Sequence, residues 1–372
     1  MGNGIFRLRC ALGAIAIALA AMAPAAGQQA PAKQPAATPW PNGAAPTAPP
    51  GFTVTAFARI DTSTGWMAVS GNGDVFLSEP ATGNILLLRD TTGVGRADLV
   101  TTFATGFSRP HGLILRGGYL YVADVPDVWR IPVTEGALTG GPRERVTPPG
   151  QADAGMARDV EFDRRGRVYV GFASRENAAE ARAPDGTVQL LDRGTLSTFA
   201  SGLQTVAGMA TYPGTDDLFV TANRRAASGD AGSADFLALV RRGQSYGSPA
   251  RAKRSAGPTE PLLYFEPRSF PMELVFYRGS QFPARYRHGA FVALHGGWDA
   301  GSPKGYSIVY LPFRGRKPTG KVAIFVKGFW GKSGDSRSLW GRPAGLAIAR
   351  DGSLLISDDV GRTVWRVVYT GR

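Results

Sequence analysis

The sequence predicts an all-β chain wound as a six-bladed β-propeller, and three observations carry that prediction. Short apolar segments separated by tight polar turns recur along most of the chain, the recurrences fall roughly fifty residues apart, and nothing between them reads as a long amphipathic helix. With 43% hydrophobic and 19% charged residues among 372, the chain can bury a sizeable core. Length alone would allow two or three domains, but all-β rings of this size are built as one unit.

Taken in order, the chain opens with Arg7 and Arg9, an apolar run from Cys10 to Ala23, and the small residues Ala25, Ala26 and Gly27. These are the charged, hydrophobic and small-residue zones of a secretory signal, so residues 1–27 are expected to be removed on export to the periplasm or beyond. The run is shorter than the ~20 apolar residues of a spanning helix, which argues against retention as an anchor and leaves no stable membrane span after cleavage. From Gln28 to Pro50 the composition turns to Pro, Ala, Gln and Thr and reads as a linker. The single Cys10 lies in the leader, which excludes an intrachain disulfide and a cysteine-based zinc site.

The folded region is expected over 51–372. Its paired segments are Met67–Val69 with Val75–Leu77, Leu113–Leu115 with Tyr119–Val122, Val160–Phe162 with Val168–Val170, and Met209–Tyr212 with Leu218–Val220. Leu274–Phe276 with Phe291–Leu294, and Leu346–Ile348 with Leu354–Ile356, complete the series. Turn dipeptides such as Asn72-Gly73, Gly117-Gly118 and Asp351-Gly352 suit hairpins, and the flanks are β-branched or aromatic. The anchors Gly73, Gly118, Gly166, Asp217, Gly289 and Gly352 stand 45, 48, 51, 72 and 63 residues apart, close to the ~40–50 residues of a four-stranded blade with two enlarged loops. A two-sheet sandwich would instead show a strand rhythm of 8–12 residues. Phe52–Phe57 and Val364–Tyr369 are expected to close the ring.

Charge and motifs narrow the chemistry. Forty-two Lys+Arg against 29 Asp+Glu give a formal charge of +13, which favours anionic partners. The basic residues are scattered without interleaved aromatics, and an exported chain is a poor partner for nucleic acid. Nucleophile-elbow, P-loop and dinucleotide fingerprints are missing. Of the three histidines, His111 reads as a turn residue and His288 as a surface one. His295 ends an apolar strand and opens His295-Gly296-Gly297-Trp298-Asp299, a place for side chains at a propeller's mouth. Asp358-Asp359 follows the last such strand and reads either as a cation site or as turn caps paired with Arg362 or Arg366.

Trp66–Arg89, Arg109–Val133, Gly202–Gly247, Phe276–Val309 and Trp340–Tyr369 resemble the sorbosone dehydrogenase family, relatives of soluble pyrroloquinoline-quinone (PQQ) sugar dehydrogenases with six-bladed propellers. The specific pieces are Trp340-Gly341-Arg342-Pro343-Ala344-Gly345, Ser357-Asp358-Asp359, Trp365-Arg366-Val367 and the His295 motif. The resemblance implies PQQ over the central channel with calcium beside it, Arg158, Asn223, Trp298 and Arg342 on the cofactor, and Asp235, Asp358 and Asp359 on the cation. His295 and Asp299 are then the catalytic candidates.

Departures from the family pattern temper this. Where the family reads Gly-His-Trp-Thr-Arg this chain has Asp153-Ala154-Gly155-Met156-Ala157-Arg158, so Arg158 matches but no histidine base does. Gly-Leu-Arg-Asn-Pro becomes Gly202-Leu203-Gln204-Thr205-Val206, and Asn-Glu-Arg-Asp becomes Asn223-Arg224-Arg225-Ala226, with a positive charge where calcium would want an acid. One expectation is therefore a quinoprotein oxidising a small sugar or aldehyde, with Asp299 as substitute base. The other is an inactive propeller whose mouth binds an anionic glycan or a protein partner. A third chemistry on the same frame, such as lactone hydrolysis, has no residues in its favour.

Overall fold

A computed structural model describes residues 1, 38–41, 43–148, 156–173, 186–224, 234–246, 258–297, 303–331 and 339–371. Apart from Met1 the expected leader lies outside them. The described chain is all-β: its one helical element is the 3-10 turn Ala284–Tyr286, and no helix among the described residues is long and apolar enough to cross a membrane.

The strands form a propeller-like series of sheets, antiparallel throughout except where Gln244–Ser245 pairs in parallel with Thr195–Ser201. The first sheet runs Met67–Val69, Val75–Glu79, Asn84–Arg89 and Leu99–Ala104, the second Leu113–Arg116, Tyr119–Ala123, Val128–Pro132 and Glu144–Arg145. A nine-stranded sheet follows. One part holds Met156–Phe162, Val168–Ala173, Val188–Asp192 and Thr195–Ser201, with Gln244–Ser245 on its edge. The other holds Thr205–Thr211, Leu218–Asn223, Phe236–Val240 and Leu263–Tyr264, and between Val168–Ala173 and Thr205–Thr211 only Ala173 and Thr205 pair. The next sheet is Pro271–Phe276, Ala290–Leu294, Ser307–Leu311 and Ala323–Val326. The last joins Pro343–Ile348, Leu354–Asp358 and Thr363–Tyr369 to Phe52–Arg59 from the other end of the folded chain.

That last sheet is the closure the sequence led us to expect. Phe52 pairs with Tyr369 and Arg59 with Thr363, so loop entropy over three hundred residues is offset by a full strand ladder. Phe52 then inserts its ring edge-on among Tyr369, Phe282 and Phe325, each about 5 Å away. The innermost strands touch in sequence, Met67–Val69 against Leu113–Arg116, onward to Pro343–Ile348, which returns to Met67–Val69. A second strand such as Val75–Glu79 or Leu354–Asp358 is buried at every residue, because sheets cover both of its faces.

Side chains stitch neighbouring sheets where the inner strands converge. Ser78 Oγ donates to His111 O at 2.9 Å, Thr221 Oγ1 to Met272 O at 2.6 Å, and Glu273 Oε2 accepts from Leu346 N at 2.6 Å. Ser357 Oγ donates to Gly65 O at 2.5 Å and accepts from Gly345 N at 2.7 Å. Gly345 has no alternative here, since a Cβ would stand 2.5 Å from that same carbonyl. Ser357→Ala would leave two buried backbone groups without partners and is expected to cost about 1.5 kcal/mol, a fall of about 3 °C in Tm by calorimetry. An unchanged Tm would show that the junction does not need the hydroxyl.

The stretch expected to be an unpacked linker is corrected over its described part. Thr47 bridges Lys327, with Thr47 N donating to Lys327 O at 2.7 Å, and Trp40 is buried. Composition missed it because the burial comes from one indole together with Pro46 and the small side chains of Ala44, Ala45 and Ala48, which leave no apolar period in the sequence.

Candidate functional site at the mouth of the ring

Hairpin topology gathers the candidates at one end. In each sheet the first strand begins where the second finishes, as the pairs Thr205–Asn223, Pro271–Leu294 and Pro343–Asp358 show. Asn223, His295, Arg342, Asp358 and Asp359 therefore belong to the same end of the ring, opposite the tight turns. Bulges interrupt the first strands near this end, between Val206 and Gly208 and between Pro343 and Leu346, and re-aim the residues beyond them.

Three of the candidates touch. His295 Nε2 lies 2.8 Å from Asp359 Oδ2, and His295 Nδ1 lies 2.8 Å from Arg342 Nη2. A guanidinium only donates, so Nδ1 is the acceptor and Nε2 carries the proton toward Asp359. Arg342 Nη2 also donates to Gly296 O at 2.7 Å, and its backbone N–H donates to Asp358 Oδ1 at 2.8 Å. Burial would raise the Asp359 carboxyl, but His295 and Arg342 outweigh it and hold the group below the ordinary carboxylate range.

This arrangement bears on His295 as a catalytic candidate. Both ring nitrogens are engaged, so no lone pair faces a substrate, and the imidazole instead holds Arg342 and Asp359 in place. Two polar atoms beside Arg342 have no hydrogen-bond partner among the described residues, Asp359 Oδ1 and the hydroxyl of buried Tyr306, whose ring centroid is 6.0 Å from the guanidinium. Tyr306 adopts φ 52°, a strained value for a non-glycine residue, with Trp330 against its ring at 5.2 Å. Sequence reasoning missed it. Its only signal was the glycine before it, which lets the chain turn tightly against Ser269 O and Gly296.

The cation candidates sit in hydrogen-bonded settings of their own. Asp235 and Asp358 are fully buried, but their oxygens accept hydrogen bonds from within the protein. Asp235 takes Arg224 N at 3.0 Å and Phe270 N at 2.9 Å. Asp358 takes Arg342 N and Gly361 N on Oδ1, and the indoles of Trp40 at 3.0 Å and Trp365 at 3.2 Å on Oδ2. Burial pushes both carboxyls up to about 6, and these donors oppose it. The oxygens of Asp235 and Asp358 are thus taken by donors of the protein itself, and no group of three or more His, Cys, Asp or Glu suited to a metal occurs among the described residues. The turn-cap reading holds for Asp358, but Arg362 donates to Asp61 O and Arg366 pairs with Asp351. Arg224 does not point at a cation site either: its guanidinium covers Phe236 and donates to Tyr246 O.

The remaining candidates are less defined. Asn223 is buried, and its Oδ1 has no hydrogen-bond partner among the described residues. Arg158 lies in the strand Met156–Phe162, but its side chain is outside the described structure, as are Trp298 and Asp299. At the opposite, turn end a cavity of 470 Å³ runs into the channel past Arg116, Asp159, Glu161, Glu273 and Arg278. Burial first, then mutual repulsion, raises Asp159 and Glu273 well above ordinary carboxyls, and burial carries Glu161 to about 7 against the pull of Arg278 and Arg116.

Comparisons place this geometry among known proteins. Residues 248–370 match the TrAA12-like family. An uncharacterised protein of Borreliella burgdorferi is 37% identical over 100 residues, 27% of this chain, and the chain spans only 26% of that relative. The holo PQQ domain of a pyranose dehydrogenase from Coprinopsis cinerea superposes with a TM-score of 0.73 at 15% identity, over 89% of this chain and 98% of its own. The calcium structure of a family AA12 carbohydrate-active enzyme from Trichoderma reesei gives 0.70 at 18%, covering 87% and 97%. The PQQ-bound aldose sugar dehydrogenase of Streptomyces coelicolor gives 0.60 at 15%, covering 87% and 99%. Over its last third the chain matches the TrAA12-like family, and over most of its length it shares the fold of the PQQ-containing sugar dehydrogenases named above.

Proposed function

We propose that the chain is an exported six-bladed quinoprotein-type propeller that binds a carboxylated quinone of the PQQ class at its mouth and oxidises a small sugar or aldehyde there at most weakly. Six blades follow if the nine-stranded sheet is counted as two, which its single joining pair supports. Export rests on the Arg7, Arg9 and Cys10–Ala23 pattern. The observation that carries the reading is Arg342: His295 and Gly296 fix its Nη2 and so hold a half-buried guanidinium at the mouth, where its charge would pair with an anion. A quinone bound there would supply the acceptor for hydride from a hydroxyl-bearing carbon. The chain's own residues fit the anion better than the reaction, because His295 has no free nitrogen and Asp359 is too acidic to be an efficient base at neutral pH.

Calorimetry with PQQ tests the binding. Arg342→Ala is expected to weaken it by about ten-fold or more, with the difference surviving moderate salt because the pair is partly buried. Equal affinity in both proteins would remove Arg342 from the site. Dye-linked oxidation of aldoses or sorbosone near the ~10 s⁻¹ of an ordinary enzyme would refute the weak-activity part. The engaged His295 also favours a second reading, an inactive propeller that takes a carboxylated glycan on the same arginine. A uronic-acid oligosaccharide that binds wild type but not Arg342→Ala, where PQQ binds neither, would select it.

A further inference from the structure

We propose that Trp40 is a positioning residue for the mouth: the segment around it is a strap whose docking fixes Arg342, and through Arg342 the His295–Asp359 pair, by way of the buried Asp358 carboxylate. The proposal rests on the assignment of Arg342 to the ligand site.

The strap is seated at two places. Thr38 N donates to Leu339 O at 2.8 Å, just ahead of Trp340-Gly341-Arg342, and Thr47 exchanges backbone hydrogen bonds with Lys327 at 2.7 and 3.0 Å. Between them the Trp40 indole enters an aromatic cage, with ring centroids 5.0 Å from Trp365, 5.7 Å from Trp340 and 6.0 Å from Phe329. Its N–H reaches Asp358 Oδ2, while Asp358 Oδ1 holds the backbone N–H of Arg342 and Gly361.

Two glycines show how closely this centre is built. A Cβ at residue 341 would stand 2.1 Å from Asp358 Oδ2, and one at residue 361 would stand 2.4 Å from the Trp40 indole nitrogen and 2.2 Å from that oxygen. The Trp-Gly-Arg-Pro motif thus has a physical reading on this chain. Trp340 walls the cage, Gly341 admits the carboxylate, Arg342 is pinned by it, and Pro343 starts the first strand of the sheet. Losing the indole N–H removes one of four donors from a carboxylate that burial already pushes up to about 6, and so loosens its hold on Arg342 N.

Trp40→Phe keeps an aromatic ring in the cage and removes the N–H. The readouts are Tm, PQQ affinity by calorimetry, and the ring nitrogen resonances of His295, assigned by their loss in His295→Gln. The expected result is a Tm within a few degrees of wild type, about five-fold weaker PQQ binding, and a His295 pattern moved from the single Nε2–H tautomer toward a mixture. Thr47→Pro unseats the strap at Lys327 without touching the cage, and should move the His295 pattern the same way. Wild-type His295 resonances and affinity in both variants would overturn the proposal whatever happens to Tm. If wild-type protein does not bind PQQ, the functional reading fails, and the His295 pattern alone decides on the strap.

Discussion

Asp358→Ala is expected to lower the thermal midpoint by about 8 °C, a larger loss than that of any other substitution at the mouth. The carboxylate is fully buried and accepts from two indoles and two backbone N–H groups. Removing it leaves four buried donors with nothing to bond, at about 1 kcal/mol each, and the ~4 kcal/mol total corresponds to that shift in a domain of this size. Asp358→Asn, which keeps the shape but supplies only one acceptor oxygen, should fall between the two. Calorimetry on the three proteins decides it. An alanine variant that melts with wild type would mean that the indoles and backbone groups find water instead, and the carboxylate would no longer be the keystone of the mouth.

Glu161→Gln is expected to stabilise the protein at pH 8 by about 2 kcal/mol and to leave it unchanged at pH 4. Burial raises the native pKa of Glu161 from 4.5 to about 7, against the pull of Arg278 and Arg116, and its charge in turn raises Asp159 and Glu273. A native pKa above the unfolded one means that the folded state binds the proton more tightly. The associated stability is full below the unfolded value near 4.5 and is lost as pH rises through about 7. The shift corresponds to about 3 kcal/mol at full ionisation, reduced to about 2 because the side chain is only partly buried. Glutamine keeps the oxygen that accepts from Phe162 N and removes the charge. Urea unfolding from pH 4 to pH 8 measures the divergence. Parallel curves would show that Glu161 ionises freely into the cavity.

Much of the fold was legible because it repeats. A second strand covered on both faces must be apolar throughout, and the runs at Val75–Leu77, Leu218–Val220 and Leu354–Ile356 fell inside observed strands. The first strands began earlier than read, at Thr205 instead of Met209 and at Pro343 instead of Leu346, because bulges and glycines at the crowded mouth break the pattern by which strands are recognised. At the site, His295, Arg342 and Asp359 were visible as motif pieces, whereas Tyr306 and Trp40 were not, since a residue that acts by touching a distant segment leaves no local mark.

By itself the sequence determined the all-β class, the ring closed by its two ends, the basic charge and the likeness to the sugar dehydrogenases, all of which follow from period, composition and short motifs. Only the tertiary structure decided what the polar residues do. Asp358 and Asp235 read as cation ligands and accept hydrogen bonds from within the protein, His295 read as a catalytic candidate and has both ring nitrogens engaged, and a Pro/Ala stretch read as a linker carries an indole bonded to Asp358. The reason is physical. A carboxylate or an imidazole takes its role from the donors and charges within about 3 Å, and those come from segments up to 318 residues away in the chain.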